Sequence, residues 1–135
     1  MKKEKLTSQI KELYIEQCKE KLLKLRYGLI NQIKTTTEEF NHIDKSRGDE
    51  SDLSAAHQEE HNFVIKNQRM KNRLVEINFA LARIESGNYG ICEETEELIE
   101  IDRLLAIPWT RLSIEGAEAR ESRVKKNGKV YLSTL

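Results

Sequence analysis

The stretch AHQEEHNFVIKNQRMKNRLVEINFALARI, residues 56–84, repeats in alternating steps of four and three residues. Six of the nine positions in register are large and apolar, and the series is Ala56, Glu60, Phe63, Asn67, Met70, Leu74, Ile77, Leu81 and Ile84. A repeat of this length is typical of a coiled-coil seam. We therefore predict a helix over about 52–86, capped by Ser51 or Asp52 and ended by Gly87.

A second apolar repeat precedes this one, and a polar segment separates the two. Residues 44–51, DKSRGDES, are rich in turn formers and contain no apolar residue, which indicates the reversal of a helical hairpin. We predict an antiparallel coiled coil with its tip near 44–54, and a looser outer half where Thr36, Ala56, Glu60 and Asn67 weaken the seam. The earlier repeat comprises Leu22, Leu25, Leu29, Ile33, Thr36, Phe40 and Ile43, after Leu6, Ile10 and Leu13.

The composition argues against several partners. The 135 residues include 23 basic and 23 acidic side chains, so no net charge attracts nucleic acid or an anionic membrane. No apolar stretch has the length of a signal peptide's core or a membrane span, and Cys18 and Cys92 lie in unrelated contexts. We expect a cytoplasmic monomer with free thiols, without membrane contact or sequence-specific DNA binding.

The chain after Gly87 is predicted to form a small head. Residues 89–112 mix short apolar runs with an acidic stretch, which we interpret as a small hairpin and one turn of helix. Ser113 is expected to cap a last helix over about 114–125, before Asn127, Gly128 and a short tail. The fold class is mainly α. We predict an N-terminal segment and coiled-coil arm over 1–86, and a zinc-finger-like head with a C-terminal helix over 87–135.

The head has the frame of a zinc finger but lacks most of its ligands. Cys92 and Thr95, then Ser113 and Gly116, have C-x-x-C spacing around a 17-residue gap, yet three of these four positions cannot bind zinc well. We predict a head without metal or cofactor, stabilised by apolar packing. Cys92 is interpreted as a buried relic whose acidic neighbours raise the pKa of its thiol. The apolar candidates are Tyr89, Ile91, Leu98, Ile99, Ile101, Leu104, Leu105, Ile107, Trp109 and Leu112.

Two segments, ARIESGNYGIC (82–92) and IDRLLAIP (101–108), resemble the DksA/TraR family of bacterial transcription factors. The resemblance is specific over 81–116 and extends over roughly 40–125. It implies a coiled coil that projects from a four-cysteine zinc finger. It also implies binding to RNA polymerase, with the coiled-coil tip inserted into the secondary channel. In many members, the alarmone ppGpp binds at the interface with polymerase.

The resemblance also assigns individual residues. The acidic tip motif D-x-x-D-x-A falls on Asp49, Asp52 and Ser54, with serine in place of alanine. Arg69 matches a basic position that faces polymerase. Without the resemblance, the two aspartates are ordinary turn and capping residues and Arg69 is a solvated surface arginine.

The positions that contact ppGpp in the family correspond to Glu76, Ile107 and Ala117, and none of these is cationic. Because a phosphate ligand would be repelled by Glu76, we expect little or no ppGpp response. The predicted function is regulation of transcription initiation through RNA polymerase, independent of zinc.

Two other functions are compatible with parts of the sequence. His57, Glu60 and His61 match the zinc-peptidase pattern H-x-x-E-H, but Glu60 falls in the predicted seam and no third ligand is evident. We therefore predict that the chain is not an enzyme. The alternative is a structural or chaperone-like coiled-coil adaptor without a polymerase role, whose tip would be indifferent to charge.

Overall fold

The computed structural model describes the backbone of residues 2–42 and 50–133 and the side chains of residues 11–42 and 53–127. Within these ranges the helices are α1 (Lys2–Asn41), α2 (Glu50–Ser86), α3 (Ile101–Ala106) and α4 (Ile114–Ser133). The predicted fold class, mainly α with a helical-hairpin coiled coil, is confirmed.

The chain forms two compact units. Leu23–Asn78 is the hairpin unit, and Met1–Leu22 together with Phe79–Leu135 is the head unit. The boundaries between these units lie within α1 and within α2. The predicted division into an arm over 1–86 and a head over 87–135 stays a prediction.

In the hairpin unit, α1 and α2 pair through the predicted apolar repeats. Met70 and Ile77 are buried, and the rings of Phe40 and Phe63 stack with centroids 4.1 Å apart and an interplanar angle of 5°. Asn67 interrupts the apolar series, and its buried Oδ1 atom has no hydrogen-bond partner among the described residues. An unpaired buried carbonyl is unfavourable, so Asn67 is a weak point of the seam.

The head unit has a core to which the first part of α1 contributes. Cys18 and Leu22 on α1 are 2% and 0% exposed. The Nζ atom of Lys21 donates a hydrogen bond to the carbonyl of Leu105, 2.6 Å away, in the last turn of α3. A cation satisfies carbonyls that a helix end leaves unpaired, so Lys21 ties α1 to α3.

Two residues of the segment over 82–92, Arg83 and Tyr89, bind the loop over 107–113 through hydrogen bonds. The Arg83 guanidinium donates to the carbonyls of Trp109 and Thr110 at 3.4 and 3.5 Å. The Tyr89 hydroxyl donates to the carbonyl of Pro108 at 2.8 Å, and burial raises the pKa of Tyr89 far above its usual range. The phenol is therefore a permanent donor, and this buried bond fixes the loop to the finger.

Two expectations about the head were wrong. The last helix extends to Ser133, because Asn127 and Gly128 continue α4 instead of breaking it. Ile91, Leu98 and Ile101 are 40%, 67% and 47% exposed, although they were expected in the core. Ile91 and Leu98 form a single antiparallel bridge and therefore share a face, while the adjacent Cys92 and Ile99 occupy the buried face.

Candidate functional site

The four finger positions converge in the head unit although they no longer form a ligand set. Cys92 and Thr95 lie in the turn after the Ile91 bridge, and Ser113 and Gly116 begin α4. The sulfur of Cys92 is fully buried, and the Ser113 hydroxyl donates a hydrogen bond to it at 3.4 Å. Hydrogen bonds from Thr95 reach the same sulfur. Hydroxyl groups therefore surround the thiol where a metal finger has other ligands.

Ser113 has a second task as the N-cap of α4. Its Oγ atom accepts a hydrogen bond from the backbone N–H of Gly116 at 3.0 Å, which confirms the predicted cap. This is the usual bond between an N-cap side chain and the third residue of a helix. The Ser113 hydroxyl therefore caps α4 and also donates a hydrogen bond to the Cys92 thiol.

The absence of a side chain at Gly116 leaves room for the sulfur of Cys92. A Cβ atom at this position would overlap the sulfur of Cys92 and would lie 3.3 Å from both the Glu94 Cβ and the Ser113 Oγ. The sulfur of Cys92 therefore occupies the space that a ligand side chain at position 116 would need. Ser113 and Gly116 thus pack directly against the Cys92 thiol.

The expected effect of the acidic neighbours on Cys92 was wrong. Burial alone would raise the pKa of the thiol, but hydrogen bonds from Ser113 and Thr95 favour the thiolate and lower the pKa from 9.0 to about 6. The N-terminus of α4 adds a positive field at the same place.

The acidic neighbours are neutralised by arginines. Glu94 accepts hydrogen bonds from Arg120 at 3.0 Å and from Arg123, and the Arg120 bond is the main reason why the pKa of Glu94 is lowered. Glu93 pairs with Arg111 at 3.6 Å and with Arg120 at 3.8 Å. These ion pairs connect the turn after Cys92 to α4 and to Arg111, in the loop before it.

The sequence alone did not reveal this role of Arg120 and Arg123. The available signal was charge complementarity, since an acidic run at 93–97 faces Arg120 and Arg123, spaced one helical turn apart. The packing of Cys18 and Lys21 against the head was also missed, because heptad spacing does not identify the partner of a helix.

The predicted tip residues lie at the start of α2. Asp49 is outside the described residues. Asp52 lies in the first turn of α2, and its side chain is outside the described part. The predicted cap by Ser51 or Asp52 was wrong, because α2 begins at Glu50 and both residues lie inside it. Ser54 and Arg69 are exposed on α2.

The remaining assigned positions do not form a cationic or metal-binding group. Glu76, Ile107 and Ala117 are half-buried, with Glu76 in the hairpin unit and the other two in the head unit. His57, Glu60 and His61 are exposed on α2. Across the described ranges, no three His, Cys, Asp or Glu side chains cluster in a way that could hold a metal ion.

A helical hairpin joined in sequence to a finger-like head defines a class of protein, and comparisons with known proteins identify it. Residues 87–122 match the prokaryotic dksA/traR C4-type zinc finger. The "RNA polymerase-binding transcription factor DksA" of Caulobacter vibrioides is 31% identical over 112 residues, which is 81% of this chain and 77% of the relative. The chain belongs to the DksA/TraR family.

Two further proteins are similar to this chain over most of its length. An uncharacterized protein of Aquifex aeolicus is 36% identical over 115 residues, covering 82% of this chain and 78% of the relative. The solved structure of transcription factor DksA2 from Pseudomonas aeruginosa superposes with a TM-score of 0.75 and 32% identity, covering 84% of this chain and 88% of that one. With 2 cysteines in its sequence, this chain departs from the four-cysteine finger of the family.

No helix in the described ranges combines the length and apolar character that crossing a bilayer needs.

Proposed function

We propose that this chain binds RNA polymerase and inserts the tip of its hairpin into the secondary channel to modulate transcription initiation. The observation that carries the proposal is the similarity to a named RNA polymerase-binding transcription factor over 81% of this chain, together with the shared fold of DksA2. Such a factor acts in the cytoplasm. It works without catalysis, by binding one state of the initiation complex more tightly than another.

The proposed tip residues are Asp49, Asp52 and Ser54, and Arg69 is the proposed polymerase-facing cation. The exposure of Ser54 and Arg69 on α2 supports this assignment, since both are available to a partner. Ser54 stands where the family motif has alanine. We expect Ser54→Ala to strengthen the effect on initiation.

The deciding experiment combines binding and transcription. The full-length protein should co-purify with RNA polymerase and alter initiation at promoters with short-lived open complexes. Asp52→Asn should abolish the transcriptional effect while binding and thermal stability are retained. Glu59→Gln is the matched control, because it removes one charge from an exposed position further along α2. Equal effects of both variants would favour the adaptor alternative.

We further propose that the factor needs neither zinc nor ppGpp. The occupied space at Gly116 and the hydrogen-bonded thiol of Cys92 support zinc independence, since the finger is closed by its own side chains. The uncharged or acidic residues at Glu76, Ile107 and Ala117 support ppGpp independence.

Each of these finer claims has its own measurement. Metal analysis of protein purified without added zinc should give no stoichiometric metal. Transcription should change equally with and without ppGpp. A strong potentiation by ppGpp would contradict the second claim and leave the binding of polymerase untouched.

A further inference from the structure

The head unit contains an apolar cavity of about 190 Å³. Three elements surround it: one face of α1 from Lys11 to Cys18, the bridge segment at Leu98 and Ile99, and α3 at Leu104 and Leu105. All of these residues belong to the head unit. None of its lining residues is a proposed tip residue or one of the four finger positions.

The walls of the cavity are unusual for this polar chain. Leu98 and Ile101, which line it, are 67% and 47% exposed, so large apolar side chains at its rim are left in water. Gly90 has a φ of 86°, and a Cβ atom there would lie 3.5 Å from Leu104. A glycine at this position shapes the backbone wall, since the left-handed conformation is strained for other residues.

The size of the cavity limits its ligand. An apolar cavity of about 150 Å³ in a protein accommodates one benzene molecule, so about 190 Å³ suits a single ring with one small substituent. An apolar cavity that is open on one side gives its ligand dispersion contacts along its walls and leaves one end of the ligand in water.

The charge at the cavity indicates the substituent. Among the described residues that line it, Lys11 alone is charged at neutral pH, and it is exposed on α1. The Lys11 side chain lines the cavity and is long enough to bring its ammonium group to the mouth, which favours an amphipathic ligand whose anionic head stays near water while its body is buried.

We propose that this cavity binds a compact apolar anion about one ring in size, with its body between α1, the bridge segment and α3 and its negative group at Lys11. This would give the protein a small-molecule site that is independent of the proposed polymerase function.

The test is a titration of the full-length protein with three probes that share one ring, namely benzoate, benzyl alcohol and benzylammonium. Methyl resonances in ¹H–¹³C spectra report the position of the ligand. We expect saturable shifts at Ile15, Leu98, Ile99, Leu104 and Leu105, with affinity falling from benzoate to the alcohol to the cation. Lys11→Met should weaken benzoate by about two- to fivefold and leave the alcohol unchanged, as for a solvent-exposed ion pair.

A blocking variant separates the cavity from general surface binding. Leu98→Trp fills the cavity from an exposed rim position and should abolish benzoate binding. Leu13→Trp adds the same indole at a position on α1 that is 64% exposed and outside the cavity, and should bind normally. Absence of saturable shifts with all three probes would overturn the proposal. So would preference for benzylammonium, unchanged binding in Leu98→Trp, or cavity shifts that depend only on protein concentration, which would assign the cavity to a second copy.

Discussion

The hydroxyl of Ser113 donates to the sulfur of Cys92 at 3.4 Å while it accepts the N–H of Gly116 at 3.0 Å. A single side chain thus connects the turn after Ile91 to the start of α4. The first prediction concerns this hydroxyl. Ser113→Ala should lower the free energy of unfolding by about 1 kcal/mol for the lost cap, and more for the lost bond to sulfur.

Urea unfolding followed by circular dichroism measures this loss. Ser54→Ala is the control, because Ser54 is exposed on α2 and should change stability little. An unchanged midpoint in Ser113→Ala would mean that the hydrogen bonds contribute nothing to stability.

The second prediction is a pH dependence caused by Cys92. Its pKa is lowered from 9.0 to about 6 in the folded protein, so the unfolded state binds the proton more tightly. The resulting stabilisation is full above pH 9 and is lost as the pH falls through 6. The difference in unfolding free energy between wild type and Cys92→Ser should therefore grow from pH 6 to 9 and be constant below 6.

Thiolate absorbance in the ultraviolet provides an independent readout of the same group. A Cys18→Ser background isolates the signal of Cys92, since these are the two cysteines of the chain. A titration midpoint near 9 in the native protein would contradict the hydrogen-bond explanation.

The third prediction is that Gly116→Ala destabilises the head. The added methyl group overlaps the sulfur of Cys92, and overpacking of this kind costs about 1–3 kcal/mol. The cost should shrink in a Cys92→Ala background, where the sulfur is gone, and a double-mutant cycle measures that coupling.

Gly28→Ala is the matched control for this substitution. Gly28 lies inside α1 with nothing within 4 Å of an added Cβ, so alanine should stabilise the helix by up to about 1 kcal/mol. Equal behaviour of the two glycine variants would show that backbone propensity, and not the sulfur, sets the result.

The fourth prediction concerns the seam of the hairpin unit. Asn67→Leu removes a buried carbonyl oxygen without a partner among the described residues, and should raise the unfolding free energy by about 1–3 kcal/mol. Hydrogen exchange should slow in the α2 segment around it. Asn78→Leu, at an exposed position of the same helix, should give no such gain.

Much of the fold was predictable from two signals in the sequence. The heptad repeats indicate the two long helices, and the turn-forming residues at 44–51 and Gly87 indicate where helices end. The helix predicted over about 52–86 is Glu50–Ser86, and the short helix and the Ser113 cap were also predicted correctly. The end of α4 was not predictable from Gly128, because one glycine costs a helix only about 1 kcal/mol and neighbouring residues can offset it.

The site was less predictable than the fold. The spacing of Cys92, Thr95, Ser113 and Gly116 indicated that these positions meet. In the structure the Ser113 hydroxyl donates to the Cys92 sulfur at 3.4 Å, and a Cβ atom at Gly116 would overlap the same sulfur. The direction of the Cys92 pKa shift could not be predicted from the sequence, since it depends on which groups donate hydrogen bonds to the sulfur. Neighbours in sequence, Glu93 and Glu94, point away to arginines.

The head unit is discontinuous in the chain: its first part ends at Leu22 and its second begins at Phe79. During synthesis, Cys18 and Lys21 leave the ribosome long before Leu104 and Leu105, the residues whose carbonyls they will contact. The head therefore closes only after the complete hairpin has been translated. Since the hairpin is in effect an insert within the head, its length can change during evolution by whole heptads without disturbing the contacts on which the head depends.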